Sequence, residues 1–108
     1  MIDNESGETV GIIDLMNFSP QHSRAEVGIV IMKPHRHKGY ATAAMEKLVA
    51  YARQTLHLHQ LFLVAECENE SRLQLFEKLG FVKTAQLKQW LQVKEGVYKD
   101  ACLMQLFL

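Results

Sequence analysis

The run Leu61-Phe62-Leu63-Val64-Ala65 is apolar at odd and even positions alike. A strand of alternating polarity can leave one face in water. This one needs cover on both faces, which in a short chain means a parallel neighbour reached through a helix. The preceding sequence supplies both parts. Ala25 to Met32 is a β-branched run stopped by Pro34, which cannot donate to a ladder. From Gly39 the period lengthens: Ala41, Ala44, Met45, Leu48 and Ala52 form one helical face, while Glu46, Lys47, Arg53 and Gln54 take the other. Strand, amphipathic helix and two-sided strand predict a right-handed βαβ crossover.

The flanking segments extend this unit. Thr9 to Phe18 reads as a strand ending at Ser19-Pro20, close enough to Ala25–Met32 for an antiparallel pair. Ser71-Arg72-Leu73-Gln74 fits a capping box, with Asn69 a competing N-cap, and the helix they open stops at Gly80. Gly80 suits the left-handed C′ position, from which Phe81 can fold back on Phe76. The tail, through Leu87, Trp90, Leu91 and Val93, turns at Glu95-Gly96 and resumes from Val97 to Leu108, a hairpin with Trp90, Phe107 and Leu108 in its core or on a dimer surface. The expected fold is α/β (α+β): a mixed sheet in which antiparallel strands lead into a parallel βαβ pair and a C-terminal β-hairpin closes the chain. With 108 residues, 48% hydrophobic and 22% charged, this is one globular domain.

Charge and cysteine usage exclude several classes. Twelve Lys and Arg balance twelve Asp and Glu, so no global field holds nucleic acid or an anionic membrane, and Lys33, Arg36 and Lys38 lack an aromatic stacking set. No run approaches the ~18 apolar residues of a membrane span, and the N-terminus lacks a basic segment leading into an apolar one. Cys67 and Cys102 read as two reduced thiols, and the expected location is cytoplasmic. The pairs His35-x-His37 and His57-x-His59 have no neighbouring carboxylates and read as exposed histidines, so no metal is expected.

Chemistry concentrates in Lys33-Pro34-His35-Arg36-His37-Lys38-Gly39-Tyr40-Ala41-Thr42. This stretch joins a strand to a helix N-terminus, where free N–H groups and the helix dipole favour an anion. Gly39 and Ala41 keep side-chain bulk away from the backbone. The residues suit a diphosphate cradle or an ordinary tight turn. The glycine spacings of a P-loop and of a dinucleotide fold are absent.

Arg36-x-x-Gly39-x-Ala41 after such a strand, followed by Asn69-Glu70-Ser71 and Leu75-Phe76-Glu77-Lys78-Leu79-Gly80-Phe81, resembles the two signature segments of the GNAT (GCN5-related) N-acetyltransferases. The Arg-Ala-Glu lead-in at Arg24–Glu26, the Glu-Asn-Glu at Glu68–Glu70 and the hairpin tail are most similar to the branch with spermidine and ribosomal-protein N-acetyltransferases. The resemblance runs from about Glu8 to the C-terminus. It implies acetyl-CoA as cosubstrate and an amine acceptor: a primary amine on a polyamine, a small molecule or a protein N-terminus. The cofactor is expected in a cleft where Val27–Met32 and Leu61–Ala65 part. Pantetheine would pair with backbone near Val30, Ile31 and Met32, and pyrophosphate would rest on His37, Lys38, Gly39, Tyr40, Ala41 and Thr42, with Arg36, Asn69 and Arg72 as further contacts. Glu26 is the candidate base.

Two departures from the family pattern follow. Phe76 stands where many relatives carry a tyrosine that protonates the leaving thiolate, and a phenyl ring cannot donate; solvent or another hydroxyl such as Tyr40 would have to serve. The family also places a strand and two amine-lining helices before this point. Residues 1–108 are therefore expected to be an N-terminally incomplete acetyl-CoA-binding N-acetyltransferase domain, completed as a homodimer. The alternative is a non-catalytic acetyl-CoA-binding or scaffold protein of the same fold.

Overall fold

In the computed structural model, which describes residues 1–36 and 38–108, six strands form one mixed sheet. In chain order the elements are β1 (Ile2–Asp3), β2 (Thr9–Ser19), β3 (Arg24–Ile31), a 3₁₀ turn (Lys33–His35), α1 (Tyr40–Gln54), β4 (Gln60–Glu66), α2 (Glu70–Lys78), β5 (Val82–Lys94) and β6 (Val97–Phe107). The sheet order is β1-β2-β3-β4-β6-β5. Three pairings expected from sequence are present: β2 with β3 antiparallel, β3 with β4 parallel, and β5 with β6 as the terminal hairpin. The edge strand β1 and the insertion of β6 between β4 and β5 carry no local signal in the sequence.

The parallel pair is short. β3 and β4 are in register only from Arg24↔Gln60 to Glu26↔Phe62, and beyond Glu26 they part. On its other side β4 pairs with β6 along its whole length, from Gln60↔Phe107 to Glu66↔Ala101. The burial expected on both faces of Leu61–Ala65 is met on one only: Leu61, Leu63 and Ala65 are buried, while Phe62 and Val64, pointing to the other face, are half-buried.

Both helices pack on one face of the sheet. Met45 and Ala52 of α1 and Phe76 of α2 join Ala25, Val27 and Ile29 of β3, Leu61, Leu63 and Ala65 of β4, and Met104 of β6 in a single core cluster. The C-terminus of α2 is a Schellman motif. Phe81 N–H donates to the Phe76 carbonyl at 3.0 Å, Gly80 N–H donates to that of Glu77 at 3.1 Å, and Gly80 takes φ +100°. The Phe76 and Phe81 rings then meet edge to face with centroids 5.9 Å apart. At the other end Asn69 is the cap: its side chain accepts from Arg72 N–H at 3.3 Å. Ser71 is not the cap. It lies within the first turn and its hydroxyl donates to Asn69.

The opposite face is less covered. Ile12 and Val30 sit across from each other in the β2–β3 ladder and are 53% and 58% exposed, while their neighbours Ile13 and Ile29 turn into the core. Trp90 and Phe107 are also exposed, so of the two places expected for them, hairpin core or dimer surface, they do not take the core. That role falls to Ala101, Cys102 and Met104.

The β5 edge is bent by a bulge at Gln89, which holds φ +49°. Asp100 of β6 fastens it, accepting from Gln89 N–H at 2.9 Å and from the Gln86 side-chain amide at 2.8 Å. These two bonds, the backbone one first, hold the Asp100 carboxyl below its usual range. A carboxyl lowered on folding contributes stability above its unfolded pKa, about 3.9, and the contribution is lost as pH falls through the lower folded value. Asp100→Asn should therefore flatten the acid limb of the stability curve below about pH 4, read from urea midpoints across pH 2–7.

Candidate functional site

Beyond the point where β3 and β4 part, a cavity of about 490 Å³ opens beside β3, against α1 and α2. Its walls are β3 from Ile29 to Ile31, the loop residues His35, Arg36 and Gly39, the first turn of α1, and one side of α2 from Asn69 to Lys78. Among the described residues that line it there is no carboxylate, whereas Arg36, Arg72 and Lys78 all reach it. A chain of zero net charge thus concentrates positive charge in one place.

The pleat decides which backbone faces this space. Met32 N–H donates to the Val10 carbonyl at 2.7 Å, so Met32, and by alternation Val30, direct their peptide groups at β2. Those of Ile29 and Ile31 therefore face the cavity. Both carbonyls are taken there by arginine: Arg72 Nη2 donates to Ile29 O at 2.9 Å and Arg36 Nε to Ile31 O at 3.0 Å. The Arg72 guanidinium also lies 5.0 Å from the centre of the Phe76 ring. Burial first, then the like charge of Arg36, lowers the pKa of Arg72.

The N-terminus of α1 points to the same ligand chemistry. Its N-cap is Gly39 at φ +84°, no side chain caps it, and no acidic residue lies in its first turn. The left-handed φ is what requires glycine here, since a Cβ at Gly39 would meet no atom within 4 Å. The first-turn N–H groups keep their hydrogen-bonding capacity for an anion. His35 secures the approach, its Nε2 lying 2.8 Å from Glu8 Oε1 and its ring edge-on to Tyr40.

Residues 1–82 match the family model of the acetyltransferase (GNAT) domain. The chain belongs to the GNAT family. Over 101 residues it is 33% identical to the spermidine N(1)-acetyltransferase of Escherichia coli (strain K12), covering 94% of this chain and 54% of that protein. It is 33% identical over 94 residues to YdaF of Bacillus subtilis (strain 168), whose name provisionally makes it a ribosomal N-acetyltransferase, covering 87% of this chain and 51% of that one. A dodecameric spermidine N-acetyltransferase from Vibrio cholerae in an intermediate state superposes with a TM-score of 0.89 at 27% identity, covering 97% of this chain and 61% of the other. This chain spans about half the length of the curated relatives it matches.

The GNAT residues singled out from sequence fall into three groups. Val30, Ile31, Arg36, Gly39, Tyr40, Ala41, Thr42, Asn69 and Arg72 line the cavity. Met32 and Lys38 are exposed outside its lining, and His37 lies outside the described residues. Glu26 and Phe76 are not in the lining either. Glu26 sits at the last position where β3 pairs with β4 and accepts from Asn17 Nδ2 at 2.6 Å. Phe76 is 1% exposed, packed between Arg72 and Phe81. The sequence reading missed Ile29, His35, Ser71, Gln74, Leu75 and Lys78. Ser71, Leu75 and Lys78 share one side of α2 by helical spacing with Arg72, a signal that was available.

Among the described residues no cluster of three His, Cys, Asp or Glu side chains could hold a metal, and no helix is long and apolar enough to cross a membrane. The burial of Phe76 gives a definite expectation. Phe76→Tyr places a hydroxyl in the core without a partner and should cost about 1–3 kcal/mol in urea unfolding, with no gain in kcat for CoA release.

Proposed function

We propose that this chain carries the acetyl-CoA site of an N-acetyltransferase acting on a primary amine. The observation that supports this most directly is the acid-free cavity beside the stretch of β3 that β4 has left, which ends at an N-terminus of α1 that no side chain caps. The residues present suit the cosubstrate. The amides of Tyr40, Ala41 and Thr42 would hold the diphosphate with Arg36, and Lys78 adds charge at the rim. The extended pantetheine amides would pair with the peptide groups of Ile29 and Ile31, one residue from the Val30 and Met32 positions expected from sequence, because the pleat turns those two away. Acetyl-CoA supplies an acetyl group activated as a thioester.

The remaining work falls to the chain. An amine with a pKa near ~10.4 arrives protonated and must lose a proton before it can attack. Glu26 is the candidate acceptor, held by Asn17 at the closed end of the parted strands and reaching the amine through water. With a phenyl ring at 76, the CoA thiolate takes its proton from solvent or from Tyr40. By likeness to its relatives, spermidine is the first amine to test.

Calorimetry and CoA release together test this reading. Gly39→Val should weaken acetyl-CoA binding at least ~10-fold, about 1.4 kcal/mol, in a variant that circular dichroism shows to be folded. Undiminished affinity would reject the loop. Binding without CoA release in the presence of spermidine would favour a non-catalytic binding protein.

The exposed side chains of Ile12, Met16 and Val30 on the helix-free side of the β2–β3 ladder support self-association, with a homodimer as the simplest assembly. Light scattering should give a mass of at least twice 12.4 kDa, and Val30→Lys should lower it.

A further inference from the structure

Cys67 and Cys102 are 35 residues apart in sequence, yet their Sγ atoms lie 2.7 Å apart, and both are free thiols. The sheet brings them together. β4 pairs Ala65 with Cys102 and Glu66 with Ala101, and the Cys67 N–H extends the ladder one step by donating to the Asp100 carbonyl at 3.1 Å. Cys67 and Cys102 are thus diagonal neighbours on the same face of an antiparallel pair. Cys102 is completely buried in β6, between β4 and β5, while Cys67 is partly exposed just beyond the end of β4. One sulfur is reachable by a small oxidant and the other waits behind it.

We propose that Cys67 and Cys102 form a redox pair that peroxide closes to an intramolecular disulfide. The Cys67 thiolate attacks one oxygen of hydrogen peroxide, forming an S–O bond as the O–O bond breaks, and hydroxide leaves. The Cys102 thiol then attacks the Cys67 sulfur of the sulfenic acid; the S–S bond forms, the S–O bond breaks, and water leaves with the Cys102 proton. Two thiols and one peroxide give one disulfide and two waters. The bridge would tie β6 to the segment two residues before Asn69, the cap of α2, so it reaches the helix that carries Arg72. The proposal stands independently of the acetyltransferase reading.

Reactivity is restrained. Partial burial, then the neighbouring Cys102, pushes the Cys67 thiol up to about 11, with Asp100 of β6 adding to the rise and Lys83 of β5 opposing it. At neutral pH only about one Cys67 in ten thousand is thiolate, so the pair answers sustained oxidant and not traces.

The test uses the full chain, reduced and then treated with hydrogen peroxide. Titration of denatured protein should show two thiols falling to none, with a mass loss of two hydrogens, no cross-linked dimer on a non-reducing gel, and full reversal by dithiothreitol. The melting temperature should rise on the order of 10 °C, and Cys67→Ser should abolish the rise. Two thiols surviving prolonged oxidation, oxygen adducts in place of the mass loss, or a bridge between chains would each overturn the proposal.

Discussion

The parting of β3 from β4 after three paired residues governs most of what is distinctive in this chain. Unpaired peptide groups facing a cavity are costly unless something satisfies them. Arg36 and Arg72 do so by donating to Ile31 and Ile29, and this requirement brings two cations into a confined space. The same divergence makes room for the N-terminus of α1 to face inward. Backbone acceptors, positive side chains and helix dipole therefore converge because one ladder stops early. β4 can leave β3 at little cost because β6 holds it along its full length on the other side.

Local patterns made much of this legible in advance. Period and turn residues located β2, β3, α1, β4 and the hairpin, and Gly80 with Phe81 announced the Schellman closure down to its ring contact. What the sequence withheld was pairing at a distance. Nothing near Arg72 says that it will cross to Ile29, 43 residues away, and nothing near Cys67 points to Cys102. Register was equally hidden: strand pattern alone could not say whether Val30 or Ile31 would turn its peptide group to the cavity. The Ser71 capping box and the Asn69 cap were equally good on paper, and Asn69 won because its side chain accepts the Arg72 N–H and the Ser71 hydroxyl together. Trp90 shows the limit of composition, since a large aromatic in a hairpin suggests a core, whereas the sheet assigns that place to the smaller side chains of β6.

The two faces of the sheet differ in how far they are covered. One is sealed by α1 and α2 around Phe76, Met45 and Leu61; on the other, Ile12 and Val30 remain open to water. The cavity is built mainly from the sealed half of this architecture and its edges, with Val30 the residue it shares with the open face.

The clipped arginines carry a consequence for selectivity. While Arg36 and Arg72 are bound to β3 carbonyls, part of their hydrogen-bonding capacity is withheld from any anion that enters. A ligand bringing its own amide N–H groups to Ile29 and Ile31 would release both guanidinium groups at the moment its charged end arrives. A bare nucleotide has nothing to offer those carbonyls and would meet arginines still occupied. The neutral arm of the ligand would then act as the key to the charged half of the site, and whole molecules would be told from their fragments without one dedicated specificity residue.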